Sequence, residues 1–516
     1  NDDIHYKGGA LLTANISWAG YMLAYISRPP DPALVGERWR EIWLDRLQQQ
    51  PLPLATWLRH QTRDEFWRHG SICENYQGIE AATLIIAGWG DGYKNAPPAA
   101  AANLTAPVKA INGPWIHKYP HFAMPHPRAD FLAEAIRWWD RWLRGKKNGA
   151  ERLPAYRAFI TEAIRPSKWR ERDPGRWVAE KSWPSKSMKT LVLYLTANNG
   201  LDRRMPKAAT ASISSPQDVG VMGGEFFTLR PDGELPGDQR RDDAGSLVFE
   251  TAPLAAPLEL LGRVRLRLRV AIDAPQGILV ARLNDVHADG VSQRVSYGVL
   301  NLAQRASQTA PSPMQPGKAE TIAIQLDECG HHFRAGHRLR IAISTAYWPI
   351  VQPGPHRFTA TIELGEEALV ELPVRKSGDH FEVPEPNDPQ PLPKYPQLTP
   401  GECSRSVTCD LNSGLTRYSL TDDSGEYEIT AADGLVVRER RHEVWSIAAN
   451  DPLSSQGEIR WLILRRRGKW EIKTESYIRF RVSATEFIVD AGVKAMEGNQ
   501  LAHEKVFSER IERKLI

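Results

Sequence analysis

The period of the apolar positions changes along the chain, and each change predicts a different kind of structure. Residues 1 to about 75 read as helical. Ala10 to Ile26 is mostly apolar, and Asp31-Pro32 supplies an N-cap followed by a first-turn proline. Leu34, Val35, Trp39, Ile42, Trp43 and Leu47 then recur at helical spacing as far as Gln50, and Leu54 to His60 and Asp64 to His69 continue as short helices. Thr83 to Trp89 is a short apolar run bounded by turn residues, which predicts a fully buried strand. A helix entered through Pro97 and Pro98 follows, and Pro107 to Asn112 is a second strand. Pro127 to Leu143 reads as an amphipathic helix with Phe131, Leu132, Ala135, Ile136, Trp139, Trp142 and Leu143 on one face and Gly145 as its stop.

From about Leu191 to Val374 the period becomes two. Val264, Leu266, Leu268 and Val270 alternate with Arg263, Arg265, Arg267 and Arg269, the pattern of a strand with one buried and one wet face. Ile278–Leu283, Arg294–Leu300, Thr321–Leu326, Arg338–Ser344, Phe358–Leu364 and Ala368–Val374 follow in kind, and Asp289-Gly290 is a hairpin signal. Many short strands at regular spacing predict a β-sandwich. Seven prolines between residues 384 and 400 make a stiff connector. Beyond it the strands expected are Leu415–Leu420, Tyr427–Thr430, Leu435–Glu439, Val444–Ala448, Ile459–Arg465, Trp470–Thr474, Tyr477–Val482 and Phe487–Val489, a smaller antiparallel module.

Composition adds a boundary and some exclusions. Of 17 tryptophans, 13 precede residue 184, so two kinds of domain are expected to meet near residue 185. With 66 basic and 62 acidic residues the charge is nearly balanced, which implies neither a nucleic-acid partner nor an anionic surface. The arginine row therefore reads as a solvated strand face. No apolar run reaches the length needed to cross a bilayer. Cys73, Cys329, Cys403 and Cys409 suit a reducing compartment better than a disulfide scaffold, so the expected location is cytoplasmic; Cys403 and Cys409 read as idle thiols rather than a pair.

Two residues carry candidate chemistry. Gly88-Trp89-Gly90-Asp91-Gly92 puts a carboxylate where the first strand gives way to a loop, and Gly113-Pro114-Trp115-Ile116-His117 puts a histidine in the loop after the second. A hydroxyl nucleophile needs an imidazole to take its proton, and the imidazole needs a carboxylate to hold its tautomer. In α/β-hydrolases these come in the order Ser, acid, His, each after a strand of one sheet, and Asp91 and His117 match the last two. A plain turn and a packed loop histidine are the alternatives. His117, His121 and His126 invite a metal reading, but Pro120 and Pro125 break any helical His face and no Cys or Asp pair completes a site. His331-His332 adds none, so neither metal nor cofactor is expected.

GWGDGY and GPWIHKYPH, with the opening DDIHYKGGALL and the SRPPDP turn near Ser27, resemble the CocE/NonD family of hydrolases, which includes cocaine esterase and the X-prolyl dipeptidyl-peptidases. The resemblance covers about three quarters of the chain. It implies that Asp91 and His117 are triad members, with Trp89, Tyr93 and Trp115 as candidate substrate contacts. It also implies a multidomain fold: a helical cap at 1–75, the C-terminal part of an α/β-hydrolase at 76–185, a galactose-binding-like jelly roll at 186–380, a linker at 381–402 and a β module at 403–516. The expected partner is a small ester, amide or peptide substrate, and a homo-oligomer is left open.

The family's nucleophile is a serine in a GxSxG elbow, and no such pentapeptide occurs here; Gly290-Val291-Ser292-Gln293-Arg294 comes nearest and ends wrongly. In the family the elbow precedes the segment that Asp2-Asp3-Ile4-His5-Tyr6 resembles. The chain is therefore expected to begin after the nucleophile, to be inactive alone and to leave one edge of its parallel sheet open. Relatives that take α-amino-acid esters carry acidic residues right after the triad aspartate, where Gly92 and Tyr93 stand here, so Asp2 and Asp3 are expected at the surface or a cap hinge. The competing reading is a non-catalytic binding or scaffold protein with a galactose-binding-like sandwich.

Overall fold

A computed structural model describes residues 4–227, 234–376, 378–387 and 393–516; Asp2 and Asp3 lie outside them. Strands β1 (Thr83–Gly88) and β2 (Val108–Gly113) pair in parallel and flank helix α4 (Ala96–Asn103), preceded in the chain by α1 (Thr13–Ile26), α2 (Trp39–Gln49) and α3 (Pro53–Arg59). The sheet continues in parallel through β3 (Tyr156–Glu162), which has β4 (Gly175–Glu180) as an antiparallel partner. Among the described residues β1 pairs only with β2, so the open edge falls there. Leu84, Ile85 and Ile86 are only half-buried, where the apolar run predicts full burial.

Helix α5 (Phe131–Trp142) is capped by the Asp130 side chain on Ala133 N–H, but of its predicted apolar stripe only Ala135 is buried. Ala135 and Trp138 face the sheet, and the Trp138 indole donates to the Ala82 carbonyl. Leu132, Ile136, Trp139 and Leu143 are exposed, Leu143 by 78%. An apolar period fixes which residues share a face, not whether that face is covered. Changing Leu132 and Ile136 together to Gln is expected to cost under about 1 kcal/mol in urea unfolding, as for exposed sites. Trp138→Ala is expected to cost about 3–5 kcal/mol, as for a large core truncation.

The sandwich pairs the antiparallel strands β5 (Leu258–Ile272) and β8 (Glu320–Phe333) with a four-stranded sheet that includes β6 (Ile278–Val286), β7 (Ser292–Asn301) and β9 (Arg338–Ser344). Leu266, Leu268, Leu279, Leu283, Ile322 and Ile341 from both layers share one core. The alternation along β5 is as predicted, and its arginines meet carboxylates on adjoining strands: Arg269 with Glu363 at 2.7 Å and Arg263 with Glu328 at 3.4 Å. Parallel pairing of Thr161 with His331 joins β8 to β3, so the parallel sheet and the sandwich form one continuous sheet.

The C-terminal region is larger than the pattern suggests. Strands β10 (Glu402–Asp410), β11 (Leu415–Asp423), β12 (Leu435–Ala448), β13 (Asp451–Arg467), β14 (Trp470–Val482), β15 (Glu486–Glu497) and β16 (Gln500–Glu512) form one antiparallel sheet, with Tyr427–Ile429 as an eighth strand. Two pairs of expected strands fuse. Arg440–His442 breaks the apolar run inside β12, yet these residues pair across to Thr421–Asp423 without interrupting the ladder. β10 and β16 escape the pattern because their side chains are mostly exposed.

This sheet packs on the N-terminal helices. Trp43, Leu47, Leu54 and Leu58 share a core with Trp445, Ile459, Ile478 and Phe480. The Asp31 cap and Pro32 are as expected, but Gly36, at φ 62°, breaks the predicted long helix after one turn. Leu34 is left exposed. Cys73, Cys403 and Cys409 are free and exposed, and Cys329 is free and buried. No helix among the described residues is long and apolar enough to cross a membrane.

Candidate active site

Parallel register brings the two chemical loops together. Gly88 is paired with Gly113, so the chain leaves β1 and β2 side by side, and Asp91 and His117 follow three and four residues later. The loops stay zipped: Trp89 N–H donates to Gly113 O and Gly90 N–H to Trp115 O, both at 2.9 Å. A Cβ on Gly88 would lie 2.0 Å from Trp115 O, so that approach requires glycine.

The Asp91 side chain is buried, and its Oδ1 accepts from Tyr93 N–H at 2.9 Å. Its Oδ2 lies 2.9 Å from His117 Nδ1. In the neutral imidazole this places the proton on Nδ1 and leaves a lone pair on Nε2. The His117 side chain is 40% exposed, and the Phe227 ring packs 4.2 Å from it, centroid to centroid. Among the described residues no hydroxyl hydrogen-bonds His117. The pair can take up and return a proton.

The aromatic candidates separate. Tyr93, 39% exposed, stands 5.8 Å from the His117 ring and faces the site. Trp115 is 1% exposed; its indole donates to Pro127 O and its ring packs on Trp177, so it anchors the histidine loop and offers no surface to a substrate. Trp89 is half-buried and donates to Phe159 O at 2.7 Å, which ties the acid loop to β3. The other histidines are engaged elsewhere. His121 packs against Phe122 and Phe131, and His126 lies 3.8 Å from Glu385. His331 bonds Asp285 and Thr161. Among the described residues no cluster suited to a metal occurs.

The sandwich holds the acid loop from the far side. Asp327 on β8 forms ion pairs with Lys7 and with Lys94 (3.6 Å), and accepts from the Asn95 amide at 2.8 Å, while Asn95 Oδ1 accepts from Glu328 N–H. Lys94 O accepts from Asn112, so the turn after Asp91 is fixed from two sides. Burial lowers the Lys94 ammonium. Burial alone would raise the Asp327 carboxyl, but Lys7 and Lys94 outweigh it and hold the group well below the usual range. The contacts to Asp327, Glu328 and Phe227 are invisible to local spacing, because these partners lie more than a hundred residues from the loop.

Beside it, burial pushes Glu328 up to about 7, with Arg263 opposing. From the ordinary 4.5 up to about 7 the native state holds a proton that the unfolded state has released, so stability falls as pH rises through that window. Glu328→Gln is expected to remove this slope and to be the more stable form at pH 8. Urea unfolding at pH 5 and 8 measures it, and equal slopes in the two proteins would contradict it.

Comparison with known proteins adds kinship. Residues 1–119 match the X-Pro dipeptidyl-peptidase (S15) family, and residues 148–391 match the X-Pro dipeptidyl-peptidase C-terminal non-catalytic domain. A cocaine esterase of Rhodococcus sp. (strain MB1 Bresler) is 26% identical over 337 residues, covering 59% of this chain and 56% of the esterase. A putative Xaa-Pro dipeptidyl-peptidase of Bacillus anthracis is 20% identical over 317 residues, 61% of this chain and 48% of its own. The chain thus spans about half the length of the curated relatives it matches. Among solved structures, an aminopeptidase from a marine sediment Thaumarchaeota archaeon has a TM-score of 0.56 at 18% identity, covering 72% of this chain and 70% of its own. A CocE/NonD family hydrolase from Staphylococcus aureus has a TM-score of 0.52 at 14% identity, covering 73% and 65%.

Proposed function

The chain belongs to the family of CocE/NonD hydrolases and X-Pro dipeptidyl-peptidases, and on that footing we propose that Asp91 and His117 are the acid and base of a serine hydrolase. The observation that carries the reading is the 2.9 Å bond between His117 Nδ1 and Asp91 Oδ2, on adjoining loops of one parallel sheet. The nucleophile is assigned to a serine outside these 516 residues, presented to His117 Nε2.

The chemistry follows from that placement. Nε2 takes the hydroxyl proton as the serine oxygen attacks the ester or amide carbonyl carbon. Asp91 stabilises the imidazolium without accepting its proton. The imidazolium then protonates the leaving alcohol or amine, the acyl-enzyme remains, and water repeats the cycle to release the acid. The sandwich, read as the family's jelly roll, supports the acid loop through Asp327 and adjoins the substrate pocket.

The test is pre-steady-state hydrolysis of a 4-nitrophenyl ester by a protein in which this chain is continuous with a GxSxG elbow. A stoichiometric burst of nitrophenolate followed by slower turnover is expected of an acyl-enzyme. Hydrolysis without a burst, unchanged by Asp91→Asn, would refute the reading, and no hydrolysis would favour a binding protein.

A further inference from the structure

A cavity of about 120 Å³ lies between the loop that carries Asp91 and the sandwich, several times the space that one water needs. Trp89 and Gly90 line it from the loop, and residues of β7 and β8, Arg294 among them, line it from the sandwich. Phe226 and Ile350 add apolar surface.

The carboxylates in the wall already have their cations. Asp173 pairs with Arg170 at 2.5 Å, Glu225 with Arg441 at 3.1 Å and Arg405 at 3.5 Å, and Glu328 with Arg263 at 3.4 Å. Asp327 meets two cations, Lys7 and Lys94. Those pairings take up Lys94 and Arg170. Arg294 forms no ion pair among the described residues, so the wall holds a guanidinium without a counter-charge.

Two tyrosines hold that guanidinium in place. Its Nη1 donates to the Tyr347 hydroxyl at 2.6 Å, and its Cζ lies 4.6 Å from the centre of the Tyr297 ring. Tyr347 is fully buried, which fixes where Nη1 points. Nε and Nη2, the two donors along the side edge of the guanidinium, have no acceptor among the described residues. Neither belongs to the unmatched atoms that are sealed from solvent, so both reach open space. A planar carboxylate accepts from both at once, in the bidentate geometry that guanidinium favours. An inorganic oxyanion would match the charge and leave Trp89, Phe226 and Ile350 uncovered, whereas a short aliphatic tail covers them.

We propose that this cavity binds a short-chain aliphatic carboxylate, with Arg294 as the residue that recognises the acid group. The inference goes beyond the hydrolase reading and needs neither His117 nor a nucleophile.

The test is saturation-transfer NMR on the chain as it stands, with propionate as the observed ligand, propionamide and N-acetylglycine as separate probes, and sulfate as a competitor. Saturable binding of propionate is expected, about tenfold weaker in Arg294→Lys, which keeps the charge and loses the fork, and abolished in Arg294→Gln. Arg294→Lys decides the matter if Arg294→Gln does not fold. Propionamide binding as tightly as propionate would show that no charge is recognised and overturn the proposal. Displacement of propionate by an equal concentration of sulfate would make this a site for any anion and overturn it too. Tighter binding of N-acetylglycine would assign the site to the carboxyl end of a larger molecule and overturn the short-chain assignment. No binding of propionate, or binding unchanged in Arg294→Lys, would also overturn it.

Discussion

His117→Ala, made in a protein in which this chain is continuous with a GxSxG elbow, is expected to lower kcat by about a million-fold, the loss expected when a triad base is removed. KM should change little, because the imidazole acts on the proton in flight and contributes little to binding the resting substrate. Asp91→Asn should cost less, about ten thousand-fold, because the amide turns the imidazole to the wrong tautomer while leaving it in place. The ordering matters more than either magnitude. A histidine that served only to pack the loop would cost stability when removed and leave kcat per folded molecule unchanged. Steady-state kinetics on samples matched by circular dichroism separates the two.

Asp327→Asn is expected to destabilise the chain by about 3–5 kcal/mol, because it strands Lys7 and Lys94 without their shared counter-charge in a buried site. The substitution also loosens the turn that carries Asp91, since Lys94 and Asn95 are its far anchors. A companion variant with Asp327→Leu, Lys7→Met and Lys94→Met should recover most of the loss, as apolar replacements of buried ion pairs often do. The carboxyl is held below its ordinary value by the two lysines, so its contribution is complete above about pH 4, the unfolded value, and is lost as pH falls towards the folded one. Urea unfolding between pH 3 and 7 reads both claims. If Asp327→Asn unfolds like the parent at pH 7, the anchor is not structural.

Much of the hydrolase-type segment was legible because its signals are local. A short apolar run, a glycine turn and an acid predict a strand ending in a carboxylate, and the same logic places His117. The parallel register that brings them together needs no further information once Gly88 and Gly113 are aligned. The alternation along β5 was legible for the same reason. Trp115 misleads because tryptophan serves equally as a wall and as a core residue, and nothing local says which side of the loop it faces. The exposed stripe on α5 and the half-buried β1 misread for one reason: periodicity assumes that an apolar face is covered. The C-terminal sheet was underestimated because its charged stretches, such as Arg440–His442, are satisfied by neighbours that only the folded ladder supplies. The seating of α1, α2 and α3 on that sheet depends on contacts spanning some four hundred residues, which no local pattern encodes.

The central claim is that Asp91 and His117 serve a serine that this chain does not itself supply. Labelling with a fluorophosphonate probe, followed by peptide mapping of the modified residue, tests it most directly. The account predicts that the 516-residue chain stays unlabelled. It predicts that the protein including the elbow is labelled on its GxSxG serine, and that His117→Ala abolishes the label. A label on a serine within residues 1–516, or one that survives His117→Ala in the longer protein, would contradict it.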